Sequence, residues 1–79
     1  MPEIDRFSGI RICVFCRDHL PPHFHAFYGE YEVLIDIREG EAIAGDFPKR
    51  KMREVVDYLT ENRDELLETF LQLNPSLRQ

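Results

Sequence analysis

The dipeptide Gly29-Glu30 separates two runs rich in aromatic and β-branched residues, 23–28 and 31–37. A two-residue loop with glycine first is the signature of a type II′ hairpin, because the first position needs positive φ. Such a loop fixes a register: Tyr28 pairs with Tyr31, Phe27 with Glu32, His25 with Leu34 and His23 with Asp36. Side chains alternate between the two faces of a strand, so the register also sorts the residues. Phe24, Ala26, Tyr28, Tyr31, Val33, Ile35 and Ile37 share an apolar face, and His23, His25, Phe27, Glu32, Leu34 and Asp36 share the other.

A first strand over residues 10–17 precedes this hairpin, bounded by Ser8-Gly9 and by Asp18 with Pro21-Pro22. It adds Ile10, Ile12, Val14 and Cys16 to the apolar side, and Arg11, Cys13, Phe15 and Arg17 to the open one. A short fourth strand over 41–44 follows, with Gly45-Asp46 breaking the sheet. After Pro48 the apolar period changes from two to 3.6: Met52, Val55, Val56 and Leu59 form one stripe, and Leu66, Leu67, Phe70 and Leu71 another. Asn62 followed by Glu65 resembles a capping box and divides the region into helices over 48–61 and 63–74, ended by Asn74-Pro75. One long helix also fits the spacing. Strands first and helices after give an α+β fold. The expectation is one domain over 1–79, a three- to four-stranded antiparallel meander over about 4–45 with two C-terminal helices on one face.

Charge narrows the function classes. Up to residue 48 there are four Lys/Arg against nine Asp/Glu, and from 49 onward six of each. A domain that holds nucleic acid by its phosphates ordinarily carries a basic excess, so RNA contact would rest on local cations: Arg11, Arg17, and the Lys49-Arg50 pair that opens the basic cluster ending at Arg53. No apolar run approaches the roughly 18 residues of a membrane span, and residues 1–6 lack the pattern of a secretion signal. A cytoplasmic location without membrane association is expected. Cys13 and Cys16, three apart on one strand, point to opposite faces and read as reduced packing residues.

The segment Asp18-His19-Leu20-Pro21-Pro22-His23-Phe24-His25 carries the chemistry. His23 and His25 lie two residues apart on one side of a strand, roughly 6.6 Å at the backbone. At that spacing two imidazoles can flank one substrate as general acid and base, with His19 assisting from the loop. Asp36, opposite His23, is the carboxylate expected to orient it. The same residues admit a metal reading: His19, His23 and His25 as ligands, with Asp18 or Asp36 as alternatives for the third place. A third reading is a docking face for a protein partner or a second copy, marked by Phe15, Phe27 and Leu34 on an otherwise polar surface. No cofactor is called for by any motif.

The chain also resembles a known family. The residues are Met1-Pro2, Ile4, Arg6-Phe7 and Gly9-Ile10; Asp18-His19, Pro21-Pro22-His23-Phe24-His25-Ala26 and Tyr28; and Gly45-Asp46 with Pro48-Lys49-Arg50. They look like the small bacterial proteins grouped as domain of unknown function 4160, and the likeness runs over nearly the whole chain. The resemblance implies a gene context like that of toxin–antitoxin pairs: a small protein partner encoded nearby, and the histidine segment as the active or recognition surface.

Overall fold

The structure is a computed structural model that describes residues 3–16 and 18–77. Five strands, β1 (Glu3–Phe7), β2 (Ile10–Cys13), β3 (His23–Tyr28), β4 (Tyr31–Asp36) and β5 (Ala42–Asp46), form one antiparallel sheet in the order β1-β2-β3-β4-β5. A single helix, α1 (Lys49–Leu73), and a 3₁₀ turn at Pro75–Leu77 are the other elements among the described residues. The α+β class is as expected, but the element counts differ: five strands instead of three to four, and one helix instead of two.

The central hairpin has the expected register at every position: His23↔Asp36, Phe24↔Ile35, His25↔Leu34, Ala26↔Val33, Phe27↔Glu32 and Tyr28↔Tyr31. Gly29 sits at φ 57, as the first position of a type II′ loop requires. Ser8 and Gly9 are a second tight turn, both at positive φ (51 and 76), the type I′ pattern. That turn joins β1 to β2, with Phe7 opposite Ile10. The extra strand has no alternating apolar signal because its first four residues are exposed.

Two boundaries also moved. The first strand ends at Cys13, not at residue 17, so Cys16 is exposed while Cys13 is buried. Gly45 continues β5 rather than breaking it. Its φ is +94, and a Cβ there would collide with the Glu32 carbonyl oxygen and lie 2.9 Å from the Val33 Cα. Glycine is needed because β4 approaches so closely.

Helix α1 departs from helical geometry only at Asn62 (φ −126, ψ 20). The Asn62 Nδ2 donates backward to the Tyr58 carbonyl at 2.9 Å. The residue therefore kinks one helix at the expected break without starting a new one. Pro48 is its N-cap, so the helix starts at Lys49, one residue later than expected.

Ile10, Ile12 and Val14, with Phe24, Ala26, Val33, Ile35 and Ile37, meet Val55, Leu59, Leu66 and Phe70 of α1 in one core. Burying each large aliphatic or aromatic side chain contributes roughly 1.5–3 kcal/mol. Tyr31 and Val56, assigned to that core by periodicity, remain 44% and 37% exposed. Near the C-terminal end of α1, Phe70 also packs on His23.

Candidate metal centre

Beyond Cys13 the chain leaves the sheet, and residues 18–22 lead back to it at His23 through a cis Leu20–Pro21 peptide. The return places Asp18 over the start of β3. Its carboxylate Oδ2 lies 3.0 Å from His23 Nε2 and 3.6 Å from His25 Nε2, and its Oδ1 lies 3.7 Å from His19 Nε2. All three imidazoles therefore turn the same nitrogen toward one carboxylate.

The other ring nitrogen of each is held by an acceptor. Nδ1 of His19 faces the Leu20 carbonyl at 3.1 Å, Nδ1 of His23 the Pro21 carbonyl at 2.8 Å, and Nδ1 of His25 the Glu32 carboxylate at 3.1 Å. An acceptor at Nδ1 requires the proton there, which leaves Nε2 with a bare lone pair in the neutral ring. For His23 and His25 this has a cost, because both Nε2 atoms are buried and neither has a hydrogen-bond partner. A buried acceptor left without a donor is worth about 1–3 kcal/mol of destabilisation. Three electron-rich atoms, two imidazole nitrogens and a carboxylate oxygen, thus converge within 4.8 Å of one another.

Exposure separates the three histidines. His23 is 1% exposed, His25 is half-buried, and the His19 side chain is 78% exposed at the rim. Ring centroids of His19 and His23 lie 5.2 Å apart, and those of His23 and His25 5.3 Å. Burial acts to raise the Asp18 carboxyl, but the hydrogen bond from the His19 amide and the positive charge that His23, His19 and His25 carry when protonated more than offset it, so the carboxyl lies below its ordinary range. Asp18 is therefore an anion at neutral pH.

The expected orienting residue, Asp36, does stand opposite His23 in register, yet its carboxylate is used elsewhere: Oδ1 accepts from the amides of Arg38 and Glu39 and builds the turn after β4. The carboxylate that meets His23 is that of Asp18. The supposed interface residues wall the site. Phe15 stands edge-on to His25 at 4.6 Å, Phe27 lies parallel to it at 6.2 Å, and Leu34 is its cross-strand neighbour. Arg11 lies over the Phe27 ring at 5.0 Å. Arg17 lies outside the described residues. Lys49 and Arg50 open α1 whereas Phe70, packed on His23 at 5.6 Å, nearly closes it. About 21 residues of helix, kinked at Asn62, lie between that basic pair and Phe70. Cys13 faces His25 across the β2–β3 ladder, and burial pushes its thiol up.

Asn74 was legible in the sequence only as a helix terminator. It is 4% exposed and bonded on three sides. Nδ2 donates to the carbonyls of Phe15 and Phe70, both at 2.9 Å, and Oδ1 accepts from the Asp18 amide at 2.7 Å. The only signal for it was a polar residue set between an apolar helical stripe and a proline.

Fold and site together define a small α+β domain with a histidine–carboxylate cluster at the margin of a meander sheet. The family model for domain of unknown function DUF4160 matches residues 9–70, and the chain belongs to that family. No curated protein and no solved structure matches the chain. Among the described residues no helix is long and apolar enough to cross a membrane.

Proposed function

We propose that this chain is a metal-binding domain in which His23 Nε2, His25 Nε2 and an oxygen of Asp18 hold a divalent transition-metal ion, with His19 at the rim as a further ligand. The observation that carries this reading is the convergence of two buried, donor-free Nε2 atoms on one carboxylate oxygen. A cation bound between them relieves the repulsion and satisfies all three lone pairs. Ligands about 2.05 Å from zinc at tetrahedral angles stand about 3.3 Å apart. The two separations from the Asp18 oxygen, 3.0 and 3.6 Å, bracket that spacing, and all three ligand atoms lie within 4.8 Å of one another. Acceptors at Nδ1, one of them the Glu32 carboxylate, are the partners that metal-binding histidines ordinarily have. Imidazole-rich sets favour zinc, copper, nickel or ferrous iron over magnesium or calcium.

Direct acid–base attack on RNA by His23 and His25 draws less support, because both reactive nitrogens are shielded from a polymer substrate. In a toxin–antitoxin-like pair, the setting implied by the family resemblance, the exposed His19 and the flanking Phe15 and Phe27 are the groups a protein partner or RNA would meet first.

The test is a competition titration of untagged, metal-stripped protein with zinc against a chromophoric chelator. One ion per chain is expected, with stoichiometry lost in His23→Ala and in His25→Ala. Wild type that takes up no stoichiometric zinc, nickel, copper or iron overturns the proposal, as does either variant binding as well as wild type.

A further inference from the structure

From the three bonds of Asn74 we infer that it is the positioning residue that makes Asp18 a metal ligand, joining the centre to the C-terminal end of α1. The inference rests on the metal reading above. Asp18 lies between Cys13 at the end of β2 and His23 at the start of β3, and the described residues there form neither strand nor helix. Such a segment holds a carboxylate in place only if its backbone is tied down.

The tie comes from a residue 56 positions away. The Asp18 amide donates to Asn74 Oδ1, and the Phe15 carbonyl accepts from Asn74 Nδ2, so one amide group grips the segment on both sides of Cys16. The same Nδ2 also donates to the Phe70 carbonyl, which accepts the Asn74 backbone amide as well, so side chain and main chain of Asn74 both close the helix end. Every polar atom of the Asn74 side chain is therefore committed, in a place with almost no water. Phe70 extends the link, since its ring packs on that of His23. One turn of helix thus walls one ligand and fixes the backbone of another.

A residue that acts in this way alters metal affinity beyond its effect on stability. Outer-shell partners of metal ligands typically change affinity by 10–100-fold when removed. In Asn74→Ala the Asp18 amide loses its acceptor and the segment its grip. Asn74→Asp keeps an acceptor for that amide, but places a carboxylate oxygen against the carbonyls of Phe15 and Phe70. Both variants leave all four candidate ligands intact.

The experiment measures zinc affinity and the visible spectrum of the cobalt-substituted protein for wild type, Asn74→Ala and a stability control, Leu66→Val, which thins the core without touching the segment. Asn74→Ala is expected to bind zinc 10–100-fold more weakly and to shift the cobalt absorption bands, because the carboxylate leaves the coordination shell. Leu66→Val is expected to lower Tm while its affinity stays within about twofold of wild type. Equal affinity and an unchanged cobalt spectrum in Asn74→Ala overturn the inference and leave the metal centre standing, whereas wild type that binds nothing removes the centre itself. A second measurement serves if the variant does not fold: in wild type, zinc should slow amide exchange at Asp18 and Asn74 together, well beyond its effect on β5. Slowing at Asp18 alone refutes the link.

Discussion

Replacing Asp18 by Asn distinguishes lone-pair convergence from an ordinary ion pair, because the two give opposite signs. The Asp18 Oδ1 accepts the His19 amide at 2.9 Å, while Oδ2 faces the Nε2 atoms of His23 and His25. An asparagine can keep its oxygen in the first place and put its NH₂ in the second. Its two hydrogens then point toward the two nitrogens that lack donors. Each hydrogen bond so gained contributes about 1 kcal/mol net, and relief of the buried acceptors adds to it, so a gain of about 1–2 kcal/mol is expected after allowance for imperfect alignment. For a domain of this size that corresponds to a Tm rise of roughly 4–16 °C. Thermal unfolding followed by circular dichroism, at about pH 8 where an ordinary imidazole is neutral, with excess chelator, reads this directly. Zinc should reverse the order: at about 100 times Kd, wild type gains about 2.7 kcal/mol by mass action and the variant gains little. Asp18→Asn melting below wild type in chelator would refute the reasoning, since it would mean that a protonated imidazole holds the carboxylate as an ion pair.

Two further outcomes follow from backbone and burial. Gly45→Ala is expected to cost about 3 kcal/mol or more through its positive φ and the collision with β4; Gly29→Ala, with open space around it, should cost only about 1–2, and denaturant unfolding of both variants checks the contrast. Burial, then the charge and hydrogen bond of Asp5, raise the Tyr58 phenol above 10.0. A raised folded value stabilises fully below the unfolded value and is lost as pH rises past it, so urea midpoints should fall between about pH 9 and about pH 11. Tyr58→Phe should remove that part of the fall, and an unchanged slope would count against it.

What could be read from the residues divides along physical lines. The β3–β4 register was legible because a two-residue loop has one solution and a period of two does the rest. The buried stripe of α1 was legible for the same reason at 3.6. Strand β1 was missed because Glu3, Ile4, Asp5 and Arg6 are all exposed, so no alternation marks it; Ser8-Gly9 was its real signal. The cluster was half legible. His23 and His25 share a face, but their carboxylate comes from an aperiodic segment whose path no pattern encodes. Asp36 was the nearest carboxylate by register and belongs to a turn. Asn74 was unreadable for a related reason, since its role exists only once the far end of the helix meets Phe15 and Asp18.

The meander order carries a consequence for the route by which the molecule assembles. Every strand pairs with its neighbour in sequence, so each hairpin closes a short loop and the sheet can zip up from local contacts. The contact that seats Asp18 spans 56 residues and must wait until α1 has been made and docked. A nascent chain would thus present its histidine pair on a formed sheet before it has the carboxylate to go with them, and an ion encountered at that stage would meet two ligands rather than three.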